Sequence, residues 1–503
     1  LCREISRRYS ASETDIPIEY RDLVPELGKR MQLAMAEKPL IVFLDSLDQL
    51  SANQGTRNLI WLPNQLPEHV EVVISTRLEK DIAQVLQVKQ AQQMQLGGLS
   101  LEDGQELLAQ WLGSTECQRT LQPAQRQAVL DKFQSSDGNP LYLKLAFEEA
   151  RLWTSFQPAE KLAVGVKGII RENMIGRLQH ESNHGEMLVS HALGYLAASR
   201  FGLAEDELVD LLSRDLQVYE WFFKKSFHLP ADLVRWAVLY RRQQAGKSLE
   251  GKPTSEEERA ALAWLKGDRT PPNDVTKFLQ EVLPKADGPR LPIVLWSRLS
   301  FDLAPYQAER MVDGSALLNF YHRELGEVAK ETFLSGDKGK VFHARLSDYF
   351  RFKADPAGDK TWAGGSKHSL SELPYHLTEA GLLDQVYQVL TDFKFLEHKA
   401  AEVNVLTRTA EDGKPVNTYT GVLQLQEDYE HALAGMGGGG GAADRAPLIL
   451  TALETSKGLM VYCPVCNKAS PITKEMLDTK IACPQEECKA PIKLNPFTVK
   501  REL

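Results

Sequence analysis

The stretch Pro39–Ser51, PLIVFLDSLDQLS, joins a continuous apolar run to two aspartates. Its residues Ile41 to Leu44 predict a strand buried on both faces, as in parallel sheets, with Asp45 and Asp48 just beyond its carboxyl end. Mg²⁺ prefers such carboxylate oxygens, so Asp45 is a candidate metal ligand beside a bound phosphate. Asp48 is a candidate general base for an attacking water. The alternative is that both aspartates cap an ordinary turn.

A second apolar run, VEVVISTR at Val70–Arg77, predicts a neighbouring strand. Residues 22–37 carry apolar side chains at helical spacing, so the order helix, strand, strand predicts an α/β sheet with parallel strands. Parallel strands end at one edge of a sheet, and ligands bind there in open α/β folds. Ser75, Thr76 and Arg77 should therefore emerge beside Asp45, where they can sense a nucleotide γ-phosphate.

The two stretches LIVFLDSLDQL and VEVVISTR, in this order, resemble the Walker B and sensor 1 strands of STAND-class P-loop NTPases, in particular those of the NACHT type. The resemblance implies a regulatory ATPase whose domains are closed with ADP and open with ATP for signalling and self-oligomerisation. It also implies Mg²⁺ bound with the nucleotide at Asp45. Gln49 stands where the family usually carries Glu, which bears on hydrolysis and not on the metal ligand.

The loop that cradles the phosphates in P-loop NTPases, Walker A, has the pattern G-x-x-x-x-G-K-[ST] between a strand and a helix. Residues 1–38 contain no such pattern, and Gly246-Lys247-Ser248 has Arg241 at the position of the first glycine. We therefore expect the chain to be the carboxyl-terminal part of a longer NTPase, or else a degenerate one. On either expectation, this chain binds nucleotide poorly by itself and has little ATPase activity.

Further motifs follow in the order of the family. Gly138-Asn139-Pro140 resembles its Gly-x-Pro element, whose proline packs near the adenine; the alternative is a loop before a helix with Pro at its first position. Residues 187–213 predict two helices around a turn, and Asp313-Gly314 predicts a hairpin over 306–321. Together these resemble the family's winged helix. His322 then resembles the histidine that contacts the bound diphosphate; the alternative is a half-buried histidine on a helix.

Two other segments are less specific. Residues 243–290 are polar and rich in charge, Gly and Pro, which predicts an insertion or a long loop. Residues 369–400 predict helices that resemble the start of the family's repeats, with Leu373 and Leu377 in the core. A DNA-reading role is the alternative for the winged helix. Its second helix, AEDELVDLLS, is acidic and therefore unsuited to contacts with phosphate.

The carboxyl-terminal segment holds two cysteine pairs, Cys463-x₂-Cys466 and Cys483-x₄-Cys488, separated by sixteen residues. Pairs at such an interval predict a tetrahedral Zn²⁺ site with four thiolate ligands, and the segment resembles a zinc ribbon. Disulfides are the alternative. A closed four-cysteine site is structural, and so small a module needs the metal to fold. The module is mildly basic, which leaves a protein or a nucleic acid as its partner.

The whole chain of 503 residues has a formal net charge of -9, which argues against general binding to nucleic acid or anionic membranes. No apolar run approaches the ~20 residues that cross a bilayer. The amino terminus also lacks the apolar region of a secretory signal. We therefore expect a cytoplasmic protein without membrane partners.

The predicted fold is an α/β remnant of a P-loop NTPase sheet, followed by mostly α domains and a small zinc ribbon. The predicted domains are a partial NTPase at 1–98, a helical domain at 99–180, a winged helix at 181–350 with an insertion at about 214–290, helical repeats at 351–434, a Gly-rich linker at 435–456 and the zinc ribbon at 457–503. The predicted function is part of a NACHT-like ATPase switch that binds adenine nucleotide and an unspecified protein ligand or effector. The alternative is a nucleotide-independent helical scaffold whose zinc ribbon binds a partner.

Overall fold

The computed structural model describes the chain except for a set of short segments and single positions. These are residues 14, 18–19, 48–58, 78–84, 157, 159–160, 226–228, 267–272, 286, 404, 410–414, 420, 438–447, 456–457, 464–467, 486–487 and 501–503. The chain divides into two compact units, Leu1–Gly97 and Gly98–Leu503. None of the described helices is both long enough and apolar enough to cross a membrane.

The first unit is a small α/β structure. Its named elements are two helices and two strands: α1 (Cys2–Arg8), α2 (Tyr20–Met31), β1 (Leu40–Leu44) and β2 (Val70–Ile74). As predicted, the two strands pair in parallel, with Leu44 opposite Ile74. α2 ends earlier than the predicted helix over 22–37, because the chain then turns and the backbones of Met35 and Lys38 bond to each other at 2.9 and 3.2 Å.

Only one face of this parallel pair is buried. Val42 and Val70 lie in a core with Leu27 from α2, whereas Ile41 and Phe43 are 51% and 74% exposed. Successive side chains of a strand point to opposite faces of a sheet, and the core of this unit lies on one of them. The prediction of strands buried on both faces is therefore wrong for the described residues.

The second unit is mostly helical, as predicted. One of its helices, α6, is composite: a turn at Val166–Gly168, a π-helical segment at Ile169–Ile175 and a last turn at Gly176–Gln179. The other helices before the first hairpin are α3 (Leu101–Gly113), α4 (Pro123–Gln134), α5 (Pro140–Ala150), α7 (Glu186–Ala198), α8 (Glu205–Arg214), α9 (Leu216–Lys225), α10 (Ala231–Gln244), α11 (Ser255–Lys266), α12 (Asn273–Val282) and α13 (Ile293–Leu303).

A hairpin and six more helices follow. The predicted hairpin is confirmed as β3 (Gln307–Val312) and β4 (Ser315–Phe320). Asp313 and Gly314 form its turn with φ angles of 50° and 83°, the left-handed conformation that a tight hairpin turn requires. The later elements are α14 (Arg323–Phe333), α15 (Asp337–Ala354), α16 (Lys367–Glu379), α17 (Leu383–Leu390), α18 (Phe393–Glu402), the hairpin strands β5 (Val405–Thr409) and β6 (Pro415–Tyr419), and α19 (Gly421–Gly437).

The segment between α7 and α8 joins these helices to the first hairpin. Leu203 pairs with Leu318 of β4 through two backbone hydrogen bonds of 2.8 and 3.2 Å. α8 packs into the unit along one face: Leu208 is buried, and so are two of its acidic residues, Glu207 and Asp210. Glu207 contacts Nδ1 of His368 at 3.0 Å, and Asp210 accepts a hydrogen bond from Tyr349. This burial argues further against a DNA-reading role for α8.

The polar segment 243–290 is not a long loop. Its described residues include α11 and α12, and their apolar side chains reach the main core of the second unit. In α12, Val275, Phe278, Leu279 and Val282 recur at helical spacing and are buried. The loop prediction is therefore wrong. The average composition of the segment is polar, and it does not show that the apolar residues of α12 lie along one side of a helix.

The carboxyl-terminal part of the second unit is a five-stranded sheet. Its strands are β7 (Leu448–Thr455), β8 (Gly458–Cys463), β9 (Lys468–Pro471), β10 (Lys480–Ala482) and β11 (Pro491–Lys500). The strand order is β10-β11-β7-β8-β9, with β11 and β7 parallel and the other neighbours antiparallel. Ala452, Val461 and Ile492 form its buried core.

The predicted linker at 435–456 is too long at both ends. α19 continues to Gly437, and β7 begins at Leu448, so the described residues at either end of that range belong to regular structure. The apolar run Leu448–Leu450 lies inside the predicted linker range. It instead opens the strand that pairs with both β8 and β11.

A buried carboxylate links the α7–α8 segment to α16. Glu372 is fully buried, and it accepts hydrogen bonds from the backbone N–H groups of Arg200 and Phe201 at 3.0 and 2.9 Å. On its own helix, Nε2 of His368 and Nε2 of His376 lie 3.2 and 2.9 Å from its two oxygens. The Glu372 carboxylate is thus held by two histidines of its own helix, and it also accepts hydrogen bonds from backbone N–H groups between α7 and α8.

Arg200 extends this network. Its guanidinium pairs with Asp428 of α19 at 2.7 Å, and Asp428 also pairs with the fully buried Lys399 of α18 at 2.5 Å. Lys399 donates a further hydrogen bond to the carbonyl of Leu370 in α16, at 2.8 Å. Opposite charges therefore alternate through the interior where the last helices meet the α7–α8 segment.

We expect Glu372→Ala to lower the free energy of unfolding by about 3–5 kcal/mol, because His368 and two backbone N–H groups would lose a buried acceptor. Urea titration followed by circular dichroism measures the change. Asp384→Ala, which removes an exposed carboxylate from α17, is the control and should change the free energy by less than about 0.5 kcal/mol. Equal effects of the two substitutions would contradict the assignment.

The same network predicts a pH dependence of stability. Burial by itself would lower the pKa of His368, but hydrogen bonds to Glu207 and Glu372 outweigh it and raise the pKa to about 10. The stabilisation is therefore complete below the ordinary value of 6.5 and is lost as the pH rises through about 10. His368→Gln should flatten the decrease in unfolding free energy between these pH values. His180→Gln, at an exposed position, should keep the slope of the unsubstituted protein.

Candidate functional site

The candidate site of the first unit lies where β1 and β2 end. Asp45 directly follows β1, and Ser75 directly follows β2. The backbone N–H of Ser75 donates to the carbonyl of Leu44 at 2.9 Å, and the N–H of Leu47 donates to the carbonyl of Ser75 at 2.9 Å. These two bonds continue the ladder beyond the strands, so the two ends are held side by side.

The Ser75 hydroxyl joins the same two chain ends through side-chain bonds. It donates a hydrogen bond to Oδ1 of Asp45 and accepts one from the backbone N–H of Ser46 at 2.8 Å. Ser46 has φ 54°, a left-handed conformation that is uncommon for a residue other than glycine. Asp45 itself is exposed, so its carboxylate is accessible at the edge of the sheet.

The other predicted residues of this edge have different surroundings. The Thr76 hydroxyl donates to the carbonyl of Arg77 at 3.1 Å, and Arg77 is exposed. Asp48, the candidate general base, and Gln49 lie outside the described residues. The structure therefore brings Asp45 and Ser75 into contact, while the catalytic and sensing roles predicted for the site stay predictions.

Pro140 lies in the second unit, at the first position of α5. It is exposed, and the preceding Asn139 caps the helix by accepting the N–H of Tyr142 at 3.1 Å. Gly138 has φ 63°, and a Cβ there would lie 2.2 Å from the carbonyl oxygen of Leu99. The N–H of Leu99 in turn donates to the carbonyl of Gly138 at 2.8 Å. Glycine at position 138 thus permits close contact between two backbone segments beside Pro140.

His322 also lies in the second unit, as the N-cap of α14. Its Nδ1 accepts the backbone N–H of Glu324 at 3.3 Å, and the side chain is half-buried. The neighbouring Tyr321 lies close enough to α5 that burial and the Glu148 carboxylate raise its pKa to about 12. The capping bond fixes the orientation of the imidazole relative to the helix.

The candidate metal centre lies in the carboxyl-terminal sheet. The Sγ atoms of Cys463, Cys483 and Cys488 all lie within 4.8 Å of one another, and the Sγ atoms of Cys463 and Cys488 are 3.8 Å apart. None of the three forms a disulfide bond with another described cysteine, which was the alternative to a metal site. Cys466, the fourth predicted ligand, lies outside the described residues.

The 3.8 Å separation of the Cys463 and Cys488 sulfur atoms fits a tetrahedral thiolate site. Zn–S bonds of about 2.3 Å in a tetrahedron place the sulfur atoms about 3.8 Å apart, whereas a disulfide requires about 2.05 Å. Backbone bonds hold the ligands in place: the N–H of Cys483 donates to Ala490 at 2.7 Å, and that of Cys488 donates to Gln485 at 3.0 Å. The local fold thus brings three thiol sulfur atoms close together, and such a cluster could hold a metal ion.

Sequence reasoning missed the polar side chains of α16 and the bonding role of Ser75. It identified Leu373 and Leu377 as core residues, and both are buried. His368, Glu372 and His376 follow each other at four-residue intervals on the same helix, which was the signal available for a polar face. Ser75 was predicted only as one of two hydroxyls facing a phosphate.

Comparisons with known proteins show relatives over most of the chain, although no protein-family model matches it. NACHT domain- and WD repeat-containing protein 1 of Homo sapiens is 29% identical over 385 residues, 69% of this chain and 20% of that protein. NACHT and WD repeat domain-containing protein 2 of Homo sapiens is 26% identical over 384 residues, 75% of this chain and 18% of that protein.

Telomerase protein component 1 of Mus musculus is 28% identical over 386 residues, 75% of this chain and 13% of that protein. The matched regions thus span a fifth or less of these relatives. Most of the chain is similar to each of three differently named proteins, two of which are named for a NACHT domain. These similarities support a NACHT-related family for this chain.

Proposed function

We propose that this chain is part of a NACHT-type regulatory ATPase, in which adenine nucleotide controls a signalling switch. The observation that carries the proposal is the contact between Asp45 and Ser75 at the ends of a parallel strand pair. Such an edge is where open α/β sheets bind their ligands. The similarity to proteins named for a NACHT domain supports the same function.

In this proposal, the Asp45 carboxylate holds Mg²⁺ together with the phosphates of the nucleotide. The cation would supply positive charge that neutralises the charge developing on the transferred phosphoryl group. Asp48 would accept a proton from the attacking water. The Gln49 amide cannot take up a proton, so Asp48 would be the base at this strand end.

Pro140 and His322 would act in the second unit. Pro140 would contact the adenine, and His322 would donate a hydrogen bond to a phosphate oxygen of ADP. Because Nδ1 of His322 accepts the Glu324 N–H, the proton of a neutral imidazole resides on Nε2. A donor of fixed orientation suits the closed state, and ATP in place of ADP would favour an open, self-associating state.

The proposal predicts that Asp45→Ala in the full-length protein containing this chain lowers Mg²⁺-dependent ATP hydrolysis roughly 100-fold or more, because the metal loses its protein ligand. Glu71→Ala is the matched control, since Glu71 is an exposed carboxylate on β2. Phosphate release measures the rates. If the unsubstituted full-length protein binds no adenine nucleotide at micromolar concentrations, the proposal is wrong, and a nucleotide-independent scaffold takes its place.

We further propose that Cys463, Cys466, Cys483 and Cys488 hold one structural Zn²⁺. The three described sulfur atoms support this because they lie within 4.8 Å of one another, and the pair Cys463 and Cys488 has the separation of about 3.8 Å that a tetrahedral site requires. The ligands come from the end of β8 and from the segment between β10 and β11, so the metal would connect distant parts of the sheet. With a small core of its own, the sheet would depend on the metal for much of its stability.

Metal analysis of the purified protein should find one zinc per chain. Cys483→Ser and Cys466→Ser should each remove the zinc and unfold the carboxyl-terminal sheet, because three thiolates cannot close the site. Cys117→Ser, in the helical part of the same unit, is the control and should retain the metal. A metal-free protein whose sheet remains folded, as judged by its amide resonances, would contradict the assignment.

A further inference from the structure

The Ser75 hydroxyl has no proton left for a nucleotide phosphate. A hydroxyl carries one proton, and Ser75 donates it to Oδ1 of Asp45. The same oxygen accepts the N–H of Ser46 at 2.8 Å. The backbone of Ser75 is also engaged, because its N–H donates to Leu44 and its carbonyl accepts from Leu47. These bonds all point inward to the end of β1.

The backbone conformation of Ser46 explains why a hydrogen-bond acceptor is needed at position 75. Its φ of 54° turns the chain sharply directly after Asp45. A left-handed serine costs free energy, and the bond from its N–H to Ser75 helps to hold that conformation. The side chain of Asp45 is then fixed at two points: by the turn of its own backbone and by the hydrogen bond to Oδ1. Asp45 itself is exposed at this edge of the sheet.

We infer that Ser75 is a positioning residue, which orients the Asp45 carboxylate for the metal and does not sense the γ-phosphate. This inference rests on the proposed function, because it assumes that Asp45 binds Mg²⁺ with a nucleotide. Groups that hydrogen-bond to a metal ligand fix its orientation, and their loss typically weakens metal binding by about 10–100-fold. The Thr76 hydroxyl likewise donates its one proton, to the carbonyl of Arg77. Arg77, whose guanidinium carries five N–H donors, is therefore the candidate for direct contact with the phosphate.

The test compares Ser75→Ala with Ser75→Thr in the full-length protein. Ser75→Ala should raise the Mg²⁺ concentration for half-maximal ATP hydrolysis by about 10–100-fold. Its affinity for a fluorescent ATP analogue in excess EDTA should stay unchanged. Ser75→Thr keeps the hydroxyl and should restore the Mg²⁺ dependence of the unsubstituted protein. Glu71→Ala, on the exposed face of β2, is the control for nonspecific effects.

Amide hydrogen exchange gives a second readout that needs no nucleotide. In Ser75→Ala, the Ser46 amide should exchange about fivefold faster, because it loses its acceptor. The Leu47 amide is an internal control, since its acceptor is the backbone carbonyl of Ser75 and remains in place. Ser75→Thr should keep Ser46 protected. An unchanged Ser46 amide in Ser75→Ala would overturn the inference.

The kinetic outcomes separate this inference from the proposed function. If Ser75→Ala weakens nucleotide binding equally with and without Mg²⁺, Ser75 contacts the nucleotide, and the positioning role is wrong while the proposed function stands. If the full-length protein binds no adenine nucleotide at all, both proposals fall together. A selective change in Mg²⁺ dependence, reversed by Ser75→Thr, supports the positioning role.

Discussion

The interior of the second unit depends on the charge of Glu372. A buried carboxylate is costly unless hydrogen bonds and a positive partner compensate for its lost hydration. Here the compensation comes from two backbone N–H groups that follow α7. It also comes from the imidazoles of His368 and His376, which lie one turn before and one turn after Glu372 on α16. The position of the α7–α8 segment relative to α16 is therefore specified by directional bonds, which tolerate less displacement than apolar contact.

A similar but smaller set of hydrogen bonds lies at the end of β1. There too, a side chain on one segment bonds to the backbone of another, and a carboxylate is part of the arrangement. The difference is exposure. Glu372 is enclosed and acts within the fold, whereas Asp45 lies at an accessible edge, where its charge is available to a ligand. Hydrogen bonds between a carboxylate and a second chain segment thus stabilise the interior of the second unit, and they also position a carboxylate in the candidate site.

The parts of this fold that sequence predicted are those with local signals. The parallel strands and the Asp313-Gly314 turn each follow from a few adjacent residues. The proximity of Asp45 and Ser75 also followed, because parallel strands must end at one edge, but the hydrogen bond between them did not. The cysteine cluster followed from its spacing. In each case, the contact is predicted either by residues that are close in sequence or by a general rule, such as the common edge at which parallel strands end.

The remaining features depend on partners that are distant in sequence. Nothing near Glu372 indicates that its carboxylate will accept hydrogen bonds from Arg200 and Phe201. The exposure of Phe43 could not be predicted from β1 alone, because it depends on what covers each face of the sheet. Likewise, average polarity concealed α12, whose burial depends on a stripe of four residues and not on the mean of the segment.

The parallel pairing of β7 with β11 has a consequence for biosynthesis. β7 leaves the ribosome well before β11. Its pairing with β11 therefore cannot form until β11 has emerged. Until then, one side of β7 presents unpaired backbone groups, which can template association with other nascent chains. A premature stop codon before Pro491 would make that exposure permanent and would also remove Ile492 and Leu494 from the core.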